Sequence, residues 1–177
     1  YFSDYGFILL KKIIKISFDN EGFPKTRNLR QLNFYLKYFI LIREWLKESQ
    51  NEISEYLDEI IYHLGQSFSL ISKNVDYNFL FNGNHNSKDK NFENQIKKLG
   101  YNFKNDLDQV GGYLFLKNKH FILAADLGPS PDKNYSKDYQ SGALSFEFIS
   151  NKIKIITNSG YFQKPKHQLN LVSKFTA

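Results

Sequence analysis

The hydrophobic pattern changes period once, near residue 100, and that change limits the fold more than any other feature of the chain. Before it, Leu32, Tyr35, Leu36, Phe39, Ile42 and Leu46 recur at three- and four-residue steps, while Arg30, Lys37, Glu44 and Lys47 fall largely elsewhere. This spacing predicts an amphipathic helix from about Leu29 to Glu48. A second helix carries Ile53, Tyr56, Leu57, Ile60, Ile61 and Leu64 on one face. Glu52, Glu55, Asp58 and Glu59 crowd its first half, where carboxylates favour the positive end of the helix dipole. The short connection makes the two an antiparallel hairpin. Upstream, residues 1–17 fit a strand or the end of a helix equally well, and Asp19 to Pro24 is a turn. Asn91 to Leu99 predicts a small helix lying outside the main packing.

After Gly111-Gly112 the pattern becomes that of strands. Tyr113 to Lys117 and His120 to Ala125 are separated by Asn118-Lys119, the length of a tight hairpin turn. Leu144, Phe146 and Phe148 alternate with Ser145 and Glu147, and Lys152 to Thr157 returns after Ser150-Asn151. The chain is therefore predicted to be α+β, with residues 1–99 helical and 100–177 an antiparallel strand region.

Composition narrows the function classes. The 177 residues are 41% hydrophobic, which suffices for a core, and contain no Cys, which excludes disulfides, a thiolate metal site and a cysteine nucleophile. The 17 Phe and 12 Tyr accompany abundant Lys, Asn and Ile, so the aromatic content reads as compositional bias, not as a binding site. A formal charge of +6 suits an acidic partner such as nucleic acid, anionic lipid or acidic polysaccharide. The positive charges are scattered singly, as at Lys97, Lys104, Lys117, Lys133 and Lys152, without the dense run of a nucleic-acid arm, so no nucleic-acid partner is expected. No stretch of about 18 apolar residues is present to span a membrane. Gly-rich phosphate loops and a Ser-His-Asp ordering are also missing. The chain starts at Tyr1 in mid-pattern and contains no Met, which reads as a fragment cut at both ends, with any signal peptide upstream.

Several short stretches, in order, resemble the heparinase II/III-like family, whose bacterial members join an incomplete α/α toroid to an antiparallel β-sandwich. They are Thr26-Arg27-Asn28-Leu29-Arg30, Leu80-Phe81-Asn82-Gly83, Gly111-Gly112-Tyr113, Ala125-Asp126-Leu127-Gly128-Pro129, Gly142-Ala143-Leu144-Ser145-Phe146-Glu147 and Thr157-Asn158-Ser159-Gly160. The resemblance implies the end of a toroid over residues 1–99 and the beginning of a sandwich over 100–177. It also implies a periplasmic or secreted polysaccharide lyase that cleaves a uronate-containing glycan by β-elimination. Such a site must neutralise the uronate carboxylate, remove the neighbouring proton with Tyr or His, and protonate the leaving oxygen. In the family the base and acid come mainly from the toroid, so this segment alone is expected to be inactive.

On this resemblance, Tyr139 and Gln140 occupy the catalytic turn, Tyr139 by stacking or proton donation. Arg27, Asn28, Asn82, Asn84, His85, Asn158, Tyr161 and His167 are the candidate substrate-binding residues. Each also has a plain structural reading. Asn28 precedes a helix and can cap it, Asn82-Gly83 is ordinary turn chemistry, and Tyr139 can pack under the sandwich edge. Family members commonly carry a His where Gln140 stands, and Asp at the positions of Gly142 and Asn158; in some, that His binds zinc. Neutral amides are poor zinc ligands, so no cofactor is expected. An alternative is a catalytically altered carbohydrate-binding or envelope-glycan protein of the same fold.

Overall fold

The structure is a computed structural model and describes residues 2–72, 78–84, 89–104, 107–137, 139–140, 142, 144–160, 167–169 and 172. Its helices come first: α1 (Phe2–Ser17), α2 (Leu29–Glu48), α3 (Glu55–Ser72), a 3-10 turn (Phe81–Gly83) and α4 (Lys90–Lys98). The strands β1 (Gln109–Val110), β2 (Tyr113–Lys117), β3 (Phe121–Asp126), β4 (Phe146–Ser150) and β5 (Ile153–Ile156) follow. They form a five-stranded sheet in sequence order, each strand antiparallel to the next. The α+β expectation is met.

Helix α2 occupies the span that its periodicity predicts. The Asn28 side chain accepts a hydrogen bond from the Arg30 N–H at 2.9 Å, satisfying one of the unpaired donors of the first turn. Leu32, Leu36, Phe39 and Ile40 are buried against Leu57, Ile60, Ile61 and Leu64 of α3. Replacing Asn28 with alanine is expected to lower stability by about 1 kcal/mol, and an unchanged midpoint in urea would contradict the cap. Helix α3 continues past Leu64 to Ser72. The ambiguous residues at the start form a helix. Leu10 is buried and Ile13 and Ile14 pack on the core, but Ile8, Leu9 and Ile16 are exposed, so the segment has no single clean apolar stripe.

One expectation is corrected. Helix α4 does not lie outside the packing, because Phe92 and Ile96, four residues apart, are both buried and belong to the core. Phe92 meets the Phe68 ring of α3 edge-on at 5.8 Å.

The sheet turns Tyr113, Phe115, Ile122, Ala124, Glu147 and Ile149 inward. Phe23, Phe79 and Phe81 pack beneath it, with Phe79 edge-on to Phe115 at 5.2 Å. Residues from both sides of residue 100 thus lie in one hydrophobic cluster. The outer face is also apolar and part-exposed, with Leu116, Phe121 and Phe146 projecting there. Such a face is the kind a second sheet covers in a sandwich, but no second sheet occurs among the described residues. The β4–β5 connection is a tight hairpin in which Asn151 (φ 46) and Lys152 (φ 67) are left-handed, the conformation that two-residue turns require.

Candidate functional site at the helix–sheet junction

Two polar knots tie the helical elements to the sheet, and the motifs that are far apart in sequence meet in them. The first is centred on Arg27, which precedes α2 in a left-handed conformation (φ 54). Its guanidinium is buried and pairs with Asp126 at 2.5 Å. It also donates to the Gly111 carbonyl at 3.1 Å and to the Pro129 carbonyl at 2.8 Å, and stacks on the Tyr113 ring at 4.7 Å. Two glycines make room for it. A Cβ at Gly128 would stand 2.5 Å from Arg27 Nη2, and one at Gly112 2.8 Å from the same atom. Bulk at either position would displace the planar group, so the glycines of two motifs have a steric reason.

Tyr113, wholly buried on β2, donates its phenolic hydrogen to the Arg27 carbonyl at 2.7 Å and accepts from Asn82 Nδ2. Asn82 also donates to the Arg27 carbonyl at 3.2 Å from a left-handed backbone (φ 49), a conformation that Asn tolerates better than most side chains. Burial, chiefly, pushes the Tyr113 phenol far above the ordinary tyrosine range. Burial likewise raises the Asp126 carboxyl, while the Arg27 hydrogen bond and charge oppose the rise.

The second knot joins the 3-10 turn to the sheet. Gln140 is buried and bridges two backbones: its Oε1 accepts from Gly83 N–H at 2.9 Å, and its Nε2 donates to the Gly160 carbonyl at 2.9 Å. Glu147, fully buried on β4, accepts from Leu80 N–H at 2.6 Å and from Asn158 Nδ2 at 3.1 Å, with Lys154 Nζ at 3.4 Å. Asn84 is also buried and donates to the Phe79 carbonyl at 2.7 Å.

The predicted residues therefore separate into groups. Arg27, Asn28, Asn82, Asn84, Gln140 and Asn158 converge on the junction, with side chains buried and bonded to the protein itself. Tyr139 stands beside Gln140 with its hydroxyl buried and without a hydrogen-bond partner. Asn82 Oδ1, Asp126 Oδ2 and Asn28 Nδ2 are buried without partners in the same region. His167 is exposed and accepts from Leu169 N–H at 3.2 Å. His85 and Tyr161 lie outside the described residues.

Asp126 and Glu147 are the partners that sequence reading passed over. Glu147 had a legible signal, a carboxylate between Phe146 and Phe148 in a strand; Asp126 looked like a strand end. The positions that the resemblance associates with zinc do not fit a metal. Gln140 and Asn158 present amides engaged within the protein, and Gly142 has no side chain. Among the described residues no cluster of three or more His, Cys, Asp or Glu is placed to hold one.

No curated protein matches the chain. A crystal structure of heparinase III matches with a TM-score of 0.71 at 13% identity, over 96% of this chain and 33% of that one. The chain thus spans about a third of the length of that protein, and the likeness shows the fold. Residues 106–177 match the family "Heparinase II/III-like, C-terminal", and this part of the chain, with all five strands and both Asp126 and Glu147, belongs to the heparinase II/III-like family.

Proposed function

We propose that the chain is part of a polysaccharide lyase that acts on an acidic, uronate-containing glycan by β-elimination, in the periplasm or outside the cell. The observation that carries this reading is the family match of residues 106–177, joined to a heparinase III-like fold over nearly the whole chain. Arg27, Asn82, Gln140 and Asn158 act as positioning residues that lock the sheet to the helices and so fix the turn carrying Tyr139. Asn28 caps α2 and Asn84 holds the loop after Phe79; His85, Tyr161 and His167 remain for contact with the glycan. Residues 1–99 and 100–177 serve as the helical and sandwich parts of the parent protein. Tyr139 is the proposed proton-transfer group because it is the one acid–base side chain among the two candidates on that turn, beside the amide of Gln140.

The test uses a full-length protein containing this chain and a panel of uronate polysaccharides, following the ultraviolet absorbance of the unsaturated product. Tyr139→Phe is expected to reduce the rate at least about 100-fold. Its stability should change by less than about 1 kcal/mol, because the deleted hydroxyl is buried without a partner. Undiminished turnover in this variant removes Tyr139 from the chemistry, and no product from any uronate polymer refutes the lyase reading. A second reading, a glycan-binding protein that does not cleave, is favoured by Gln140, a side chain with no acid–base chemistry, standing where the resemblance expects His. Retained glycan binding without product would select it.

A further inference from the structure

A groove of about 630 Å³ opens beside the first knot, whose Gly111 and Gly112 also line it, between the turn after α1, the middle of α3 and the segment leading into β2. Its volume is in the range of small-molecule sites. Three carboxamides (Asn20, Gln66 and Gln109) line it with the His63 imidazole, the Ser67 hydroxyl and the Glu21 carboxylate. The Ser67 hydroxyl is already donated to the His63 carbonyl at 3.0 Å; the three carboxamides can each donate and accept, as can a neutral imidazole. Neighbouring hydroxyl groups on a ring call for such paired donors and acceptors.

Among the described residues, no Lys or Arg lines the groove. Glu21 is on the wall, Glu59 lies 4.0 Å from the lining His63 Nε2, and Asp19, next to the lining Asn20 in sequence, accepts from the Glu21 and Phe23 N–H groups at 2.9 and 2.8 Å, so the nearby charge is acidic. An anionic sugar would be repelled there. Gly22, with a left-handed backbone, lets the turn after α1 close on α3: a Cβ there would stand 2.5 Å from His63 Cβ. Next to the lining His63 on α3, Tyr62 is 57% exposed and its hydroxyl accepts from Gln66 Nε2 at 2.8 Å, so an aromatic ring is tied to one of the lining amides. An exposed ring fixed next to polar groups offers a flat apolar surface for the C–H face of a sugar.

We propose that this groove binds an uncharged pyranose unit. The proposal deepens the glycan reading above: the uronate belongs at the turn carrying Tyr139, and a neutral sugar of the same polymer belongs here. It nonetheless has its own test. The 177-residue chain, isotopically labelled, is titrated with methyl glucoside, N-acetylglucosamine and glucuronate while the side-chain amide signals of Asn20, Gln66 and Gln109 are followed by NMR.

The expected result is saturable shifts of these amides with at least one neutral sugar. Affinity for glucuronate should be at least five-fold weaker, and Gln66→Ala with Gln109→Ala should weaken neutral-sugar binding at least ten-fold without moving the melting temperature. Equal response to glycerol, preference for glucuronate, or no response to any sugar overturns it. If the double variant is less stable, Gln109→Glu alone decides, since an added carboxylate must still weaken a site that uses this amide. Absence of lyase product from uronate polymers, by contrast, would leave the titration unaffected, so the two readings fail separately.

Discussion

Replacing Arg27 with alanine is expected to destabilise the chain by about 3–5 kcal/mol, because it leaves the Asp126 carboxylate buried without its counter-charge. The guanidinium is 8% exposed and Asp126 1%, so solvent cannot take over the lost contacts. The Gly111 and Pro129 carbonyls lose a donor in the same step, and the Tyr113 ring loses its stacked cation. Urea unfolding of the two proteins measures the difference. A loss below about 1 kcal/mol, the size of an exposed ion pair, would show that the pair is not an anchor.

The loss has a predicted pH dependence. Burial raises the Asp126 carboxyl above its ordinary value, and Arg27 opposes that rise. A carboxyl with a raised folded-state value favours folding while protonated, and that contribution fades as pH climbs through the folded-state value. Without Arg27 the value must rise further, so the penalty should be largest near neutrality and shrink in mild acid. Pairing Arg27→Met with Asp126→Leu, which removes both charges, should recover part of the stability lost in the single variant.

The second large effect is expected at Glu147. Glu147→Ala orphans the part-buried Leu80 N–H and the buried Asn158 amide and strips Lys154 of its carboxylate, for a loss of about 3–5 kcal/mol. Glu147→Gln retains one carbonyl oxygen and the side-chain volume, so it should cost distinctly less. Denaturant titration of both variants checks the order. If alanine and glutamine cost the same, the acceptor geometry is irrelevant and only the charge matters; if neither costs more than about 1 kcal/mol, the knot does not hold the sheet.

Much of the fold was legible because it rests on local spacing. Leu32, Leu36, Phe39 and Ile40 stand at helical intervals behind a capping Asn28, and α2 follows. Residues Tyr113 to Lys117 and the turn at Asn118 fix β2 and its return in the same way; Asn118 Oδ1 accepts from both His120 and Phe121 N–H. Helix α1 was ambiguous because its apolar residues face both the core and solvent. Helix α4 was misplaced because only Phe92 and Ile96 tie it down, too short a stripe to show burial from sequence.

The site was legible only as motifs. Arg27 and Asp126 are 99 positions apart, Gln140 and Gly83 57, Glu147 and Leu80 67. No local pattern reveals that an arginine before a helix will close on an aspartate at the end of a strand. The family resemblance picked out stretches that meet at the junction, where the side chains of Arg27, Asn28, Asn82, Asn84, Gln140 and Asn158 are bonded within the protein.

That long separation has a consequence for synthesis. At about 5–20 residues per second, Arg27 leaves the ribosome's peptidyl-transfer centre roughly 5 to 20 s before Asp126 is made, so α2 and α3 have time to pair while the cation is still solvated. Ribosome-bound chains halted before Asp126 should remain open to proteolysis around Arg27, and chains extended past Ile156 should resist it. A translational pause between residues 27 and 126 would prolong this exposed interval without altering a single contact of the finished structure.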